Sequence, residues 1–316
     1  MGMIFESGIK FIDFSKDPND LVEGSEGWKN LCKQVKEACE SHGCFQVVYD
    51  KVPATLHDEM FKGVKDLFDV RDETKQKNIS CKPCHGYIGK DSNFPLLESL
   101  GIENAPILDK ARAFTDLMWP NGNPSFCETL NSMSIMMKEL EGIIRKMIFE
   151  SLGVKEYCNT NIKDSDYIFR VMKYKAPFSD HPTIGLPTHT DKNILTILYE
   201  DIQGLEVLSK EGKWIQVVPK QGKFLVIVGE SLMAWSNGRM HAPKHRVMMT
   251  GEKDRYSYSQ FSTPNELVYV ETPKELVDED HPLLYRPFKF LEYLRYFDAN
   301  MHLANPLATY VGVGKV

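Results

Sequence analysis

His189-Thr-Asp191 and His245 are the residues in this 316-residue chain whose types best suit a metal centre. On an extended segment, side chains two apart point the same way, so His189 and Asp191 offer an imidazole and a carboxylate on one side. Two imidazoles and one carboxylate match the ligand set of a non-haem Fe(II) centre, whose opposite face stays open to substrate and oxygen. A structural zinc takes four closed ligands, and no fourth candidate lies near these in the sequence. A catalytic zinc hydrolase uses the same three donors plus a water, and a small-molecule-binding protein could retain such a pocket for sensing or storage. With nine histidines in the chain, a His-x-Asp pair with a distant His is weakly specific by itself. Arg255 and Ser257 sharpen it, because they too stand two apart and could clamp a carboxylate through an ionic fork and a hydroxyl.

The elements that must position these groups lie in the second half. From Tyr167 onward the apolar period is two: Tyr167–Tyr174, Leu195–Tyr199, Leu205–Leu208, Trp214–Val218, Phe224–Val228, His241–Met248 and Arg255–Phe261 read as strands. Gly204, Gly212, Gly222, Asn237-Gly238 and Gly251 supply the turns between them. No helical pattern of ten or more residues interrupts, which argues for an antiparallel sandwich, and a jelly roll is the version that makes a cup. Such a sandwich can return His245 opposite the His189-Asp191 pair.

The first half is helical with strands at its start. Lys10–Phe14 and CFQVVYD read as strands. Ser25–Ser41 reads as a helix with Ser25 as N-cap, and Pro53 opens a second with Leu56, Met60, Val64 and Leu67 on one face. Residues 71–125 read as mostly loop with short helical or strand pieces, and His85-Gly-Tyr87-Ile-Gly89 as a glycine-bounded hairpin. Pro124–Leu152 is the longest helical pattern, with Leu130, Met133, Met137, Leu140, Ile144 and Met147 on its buried face. A final helix within Pro282–Phe297 would close the mouth of the cup.

Composition narrows the function. A net charge of −6 and the lack of a basic stripe argue against a nucleic-acid groove. The opening MGMIFESGIKF has no secretory pattern, and no apolar run approaches a membrane span. Seven cysteines without an export signal read as reduced thiols in a cytoplasmic protein. Cys81-Lys-Pro-Cys84-His85 has the spacing of a haem attachment segment, but is read here as two free loop thiols.

GLPTHTDKNILTILYEDIQGLEVL, GKFLVIVGESLMAWSNGRMHAPKHRV and RYSYSQF, with KFIDFS and SHGCFQVVYD near the start, resemble the plant iron(II)- and 2-oxoglutarate-dependent dioxygenases. The VMKY segment and the KPCHGYIG segment look more like the subgroup holding the glucosinolate side-chain (AOP-like) and auxin-oxidising enzymes. The resemblance implies a mainly β fold with a helical N-terminal region, a double-stranded β-helix (jelly roll) core flanked by helices. Residues 1–160 would pack on a catalytic core of 161–316, as one unit. It implies that His189, Asp191 and His245 bind Fe(II), and that Arg255 and Ser257, helped by Tyr174, hold the distal carboxylate of 2-oxoglutarate. Met172 stands where the family usually has asparagine, and Cys84 where the subgroup often has tyrosine. Tyr87, projecting from its hairpin, and, by family position, Phe114, Trp119, Phe261, Phe288 and Leu291 are the expected walls of a substrate pocket. The implied reaction uses Fe(II), 2-oxoglutarate and O2, with ascorbate as the reductant in vitro, to hydroxylate or otherwise oxidise a C–H bond of a plant metabolite. The expected protein is a cytoplasmic monomer acting on a small molecule, with no nucleic-acid or membrane partner.

Overall fold

The computed structural model describes residues 8–89, 94–177 and 181–314, so the reading of the first seven residues as no export signal lies outside the described residues. The N-terminal half runs β1 (Phe11–Asp13), α1 (Glu26–Ser41), β2 (Cys44–Val48), α2 (Ala54–Phe68), α3 (Asp72–Lys75), β3 (Leu97–Glu103), α4 (Leu108–Met118), α5 (Pro124–Ser151) and α6 (Cys158–Lys163). Ser25 caps α1 by accepting the Trp28 N–H at 3.0 Å, and Asn123 caps α5 by accepting the Phe126 N–H at 3.1 Å. The second half runs β4 (Ser165–Tyr174), β5 (Thr183–His189), β6 (Leu195–Glu200), β7 (Leu205–Leu208), β8 (Trp214–Gln216) and β9 (Lys223–Val228). It continues with α7 (Glu230–Trp235), β10 (His245–Met249), β11 (Arg255–Pro264), β12 (Tyr269–Val270), β13 (Phe288–Lys289), α8 (Phe290–Ala299) and α9 (Pro306–Val311).

Among the described residues the strands form a seven-stranded sheet in the order β1-β2-β9-β6-β11-β4-β3 and a four-stranded sheet β5-β10-β7-β8, with β12 and β13 as a separate pair. Neighbours are antiparallel except β1 and β2. One apolar core lies between the large sheet and the helices, where Leu130, Met133, Met137, Leu140, Ile144 and Met147 of α5 are fully buried. A second core includes Met172, Leu198, Leu225 and Ile227 of the large sheet and Leu205, Val207, Val247 and Met249 of the small one. The fold is therefore mixed α/β. The expectation of a mainly β chain underweights both the helices on α5 and the role of the first half, which contributes β1, β2 and β3 to the large sheet.

Residues 71–125 are more ordered than their polarity suggests. They hold the seven-residue β3 and the eleven-residue α4. The glutamates of LESLGIE obscure a strand because they are paired locally: Glu98 meets Lys75 at 2.5 Å, and Glu103 accepts from Ser80 at 2.7 Å. Among the described residues His85–Gly89 forms no hairpin of its own; the ladder contact seen there is an isolated antiparallel bridge from Ile88 to Ser99 of β3. No helix among the described residues is long and apolar enough to cross a membrane.

Candidate active site

His189 is the last residue of β5 and His245 the first of β10, and the two are direct partners across the antiparallel ladder. Their rings lie 4.2 Å apart. Asp191 follows two residues after His189, just beyond the strand end. Its Oδ1 is 3.8 Å from His189 Nε2 and 3.6 Å from His245 Nε2. One donor atom from each residue falls within 4.8 Å of the other two, a grouping a single metal ion can bridge.

Hydrogen bonds leave those donor atoms free. His189 Nδ1 lies 2.8 Å from the Pro187 carbonyl and His245 Nδ1 3.2 Å from the Pro243 carbonyl. A carbonyl only accepts, so each Nδ1 carries the proton and each Nε2 presents its lone pair. Asp191 Oδ2 accepts the Thr196 hydroxyl at 2.6 Å, leaving Oδ1 on the histidine side. Burial, followed by the adjacent His245 ring, pushes the His189 imidazole down to about 3. It is therefore neutral through the ordinary pH range, the form that ligates a metal. Two imidazoles with Nε2 free and one carboxylate, each held from behind, fit Fe(II) with an open face.

A second network, not foreseen from the sequence, supports this one. Lys192 donates to the Thr190 carbonyl at 2.9 Å and to Glu230 at 3.1 Å, and its ammonium sits 4.4 Å from the Phe297 ring. Glu230 also accepts from the hydroxyls of Thr190 and Tyr293. The Glu230 backbone N–H donates to the Asp191 carbonyl at 2.8 Å. The loop that carries Asp191 is thus tied to α7 and, through Tyr293, to α8.

His189 and Asp191 open onto a cavity of about 230 Å³. Of the expected wall residues, Phe261 lines it, and so does Tyr174. The others lie elsewhere. Tyr87 turns its hydroxyl to Glu98 at 2.9 Å, while Phe114 and Trp119 pack on Phe126 at 6.4 and 4.8 Å. Phe288 meets the Tyr293 ring edge-on at 5.5 Å. On α8 the cavity face carries Phe290, Leu294 and Phe297, and Leu291 is one residue round the helix from it. Pro83, Cys84 and His85 complete one rim, and Cys81 and Cys84 are free thiols. A larger cavity of about 430 Å³, lined by Tyr157, Trp235 and Tyr269, contains none of the three metal-ligand candidates.

Arg255 lies on β11, fully buried, with its guanidinium 5.1 Å from the Tyr174 ring and Nη1 donating to Ser257 Oγ at 3.4 Å. It also carries a partner that sequence reasoning missed. Glu200, which lies opposite Ser257 in the β6–β11 register, places its carboxylate on Arg255 Nη2. The other Glu200 oxygen is buried with no hydrogen-bond partner among the described residues. The signal was present in LTILYE, whose alternation puts Glu200 and Leu198 on one face. Met172 is near enough to Tyr174 for its sulfur to accept the phenol at 3.9 Å.

Comparison with known proteins agrees with this geometry. Residues 165–264 match the 2OG-Fe(II) oxygenase superfamily, and residues 9–122 match the family described as non-haem dioxygenase in morphine synthesis N-terminal. The probable 2-oxoglutarate-dependent dioxygenase AOP1.2 of Arabidopsis thaliana is 43% identical over 92% of this chain and 90% of its own length. The crystal structure of the rice dioxygenase for auxin oxidation superposes with a TM-score of 0.82 at 31% identity, covering 96% of this chain and all (100%) of that one. The Arabidopsis thaliana dioxygenase for auxin oxidation 1, in complex with 2-oxoglutarate, gives 0.79 at 28% identity, covering 87% and 99%. With its His-Asp-His metal site, the chain belongs to the plant iron(II)- and 2-oxoglutarate-dependent dioxygenases, enzymes that oxidise a small molecule with Fe(II), 2-oxoglutarate and O2.

Proposed function

We propose that this dioxygenase hydroxylates an unactivated C–H bond of a plant metabolite, with His189, Asp191 and His245 holding Fe(II) and with Arg255, Ser257 and Tyr174 receiving the distal carboxylate of 2-oxoglutarate. The observation that carries the reading is the convergence of the two Nε2 atoms and Asp191 Oδ1, each left free by a hydrogen bond on its far side. When bound, iron, 2-oxoglutarate and O2 supply the oxidising power, with succinate and CO2 as the other products. The protein's own part is to orient and enclose. The Pro187 and Pro243 carbonyls fix the imidazole planes, Thr196 turns Asp191, and the apolar walls keep water from the reacting carbon. Desaturation, ring closure or dealkylation would follow from the same machinery with another substrate pose.

The finer architecture in this proposal is a double-stranded β-helix formed by the two facing sheets, with 1–160 packed on 161–316 as one catalytic unit. Its working form is a monomer in the cytoplasm, a reducing compartment in keeping with seven free thiols. Succinate release that requires both Fe(II) and 2-oxoglutarate, in the presence of ascorbate, tests the whole reading. His189→Ala, Asp191→Ala and His245→Ala should each abolish coupled turnover and bound iron while far-UV circular dichroism is unchanged. Near-wild-type product from any of them at limiting Fe(II) would remove that residue from the centre.

A further inference from the structure

Arg170 is a buried cation for which the oxidation chemistry has no use. It lies on β4 and lines the cavity while only 8% exposed. Its partners are neutral: one Nη donates to the Cys84 carbonyl and the other to Ser99 Oγ, the latter at 2.5 Å. Among the described residues no carboxylate pairs with it. The other deeply buried arginines differ, since Arg145 holds Glu141 and Arg255 holds Glu200. A guanidinium taken out of water without an anion is unfavourable, and neutral acceptors compensate it only in part. Among the described residues two of its five N–H donors are engaged, which leaves a fork of the shape that matches a carboxylate.

The rest of the cavity defines what that carboxylate belongs to. Its other cation, Lys192, already has Glu230 at 3.1 Å, and Asp191 faces the metal position. The remaining surface is largely apolar, with Ile168, Met172, Leu186, Phe261, Phe290 and Leu294 around it. A volume of about 230 Å³ lies below the roughly 300–1,000 Å³ of common ligand pockets, so the skeleton is small. Arg170 also precedes Tyr174 by four residues on the same face of β4, roughly 13 Å along the strand at ~3.3 Å per residue. Two carboxylates can therefore be held apart in one cavity, the cosubstrate's near Tyr174 and another near Arg170. Ser259, opposite Arg170 in the β4–β11 register, keeps a buried hydroxyl without a partner among the described residues, a spare donor on the same face.

We propose that Arg170 is the substrate-anchoring residue and that the substrate is a small apolar molecule bearing a carboxylate, held by that carboxylate at the Cys84–Ser99 end of the cavity. This rests on the dioxygenase reading of the same site. The test is binding rather than turnover. The protein is loaded with Mn(II) in place of Fe(II) and with 2-oxoglutarate, each measured by calorimetry first. It is then titrated with phenylalkanoic acids from phenylacetate to phenylhexanoate, each beside its methyl ester. Acids should bind about tenfold or more tighter than their esters, as a charge-assisted contact in a desolvated site gives. Arg170→Gln, which keeps donors for Cys84 and Ser99 but has no charge, should erase that preference, and Arg170→Lys should restore part of it. Equal binding of acid and ester, no binding of any acid, or an acid preference that survives Arg170→Gln would overturn the proposal alone. Failure of the wild type to take up Mn(II) and 2-oxoglutarate would strike the metal-site reading and this inference with it.

Discussion

Arg255 and Arg170 show how one side chain takes different roles according to its partner. Arg255 already holds the Glu200 carboxylate, so a cosubstrate carboxylate arriving there meets a second negative charge on the same guanidinium. Burial raises the Glu200 carboxyl above its ordinary range, opposed by Arg255, while Asp201 next to it and the Tyr174 phenol on β4 also act on this cluster. In the proposed clamp an incoming carboxylate should raise Glu200 further, so binding 2-oxoglutarate should take up a proton wherever Glu200 starts ionised. The sign follows: affinity is greatest where Glu200 is protonated and falls as pH rises through its pKa. Glu200→Gln should tighten 2-oxoglutarate binding by roughly tenfold and flatten this pH dependence, since a hydrogen bond to a charged group is worth about 1.5–3 kcal/mol. Arg255→Ala should act oppositely, costing on the order of 2–5 kcal/mol in 2-oxoglutarate binding. Calorimetry of the Mn(II) form in two buffers of different ionisation enthalpy reads both the affinity and the proton. An unchanged dissociation constant in Glu200→Gln would mean that Glu200 does not compete.

Elements, rather than single residues, decide which side chains reach the cavity. The Pro83–His85 rim lies so close to β3 that a Cβ on Gly101 would stand 2.0 Å from the His85 carbonyl and 3.1 Å from Arg170 Nη1. Gly101→Ala should therefore push this rim outward and separate Cys84 from Arg170, with 2-oxoglutarate binding intact. The acid preference of the phenylalkanoate titration should shrink, and a variant that keeps it would show that the rim can shift without moving Arg170. This contact also shows where sequence was opaque. The His189-Asp191 pair was legible from its spacing of two, whereas His245 was joined to it only by the sandwich return and the family resemblance. The α5 helix was legible because its apolar residues recur at three and four. The partners of Arg170 and Arg255 were not, since Ser99 and Glu200 come from other strands, and only register brings them diagonally within reach, Ser99 opposite Met172 and Glu200 opposite Ser257. The expected walls fared likewise: Phe114 and Trp119 are apolar enough for a pocket, yet their rings pack at a tilt against Phe126.

At the scale of the molecule, a buried polar network joins α5 and α6 to the seven-stranded sheet. Glu141 on α5 accepts from Arg145 Nε at 2.8 Å and from Ser262 on β11 at 2.9 Å. Arg145 in turn donates to Asn161 Oδ1 on α6 at 2.9 Å and to Ser165 on β4 at 2.7 Å. Both members of the pair are at most 1% exposed, so water does not screen them. Glu141→Ala leaves the arginine buried without its anion and should cost about 3–5 kcal/mol, read as a lower urea midpoint with unchanged slope. Replacing the pair together, as Glu141→Leu with Arg145→Met, removes the orphan charge and should recover most of that loss. A double variant as unstable as the single one would mean that the hydrogen bonds to Asn161, Ser165 and Ser262, rather than the ion pair, join the layers. Because the network reaches β11 and β4 on the face away from the cavity, the folded fraction of either variant should keep wild-type 2-oxoglutarate affinity. A shift in that affinity would show instead that α5 helps set the spacing of the site.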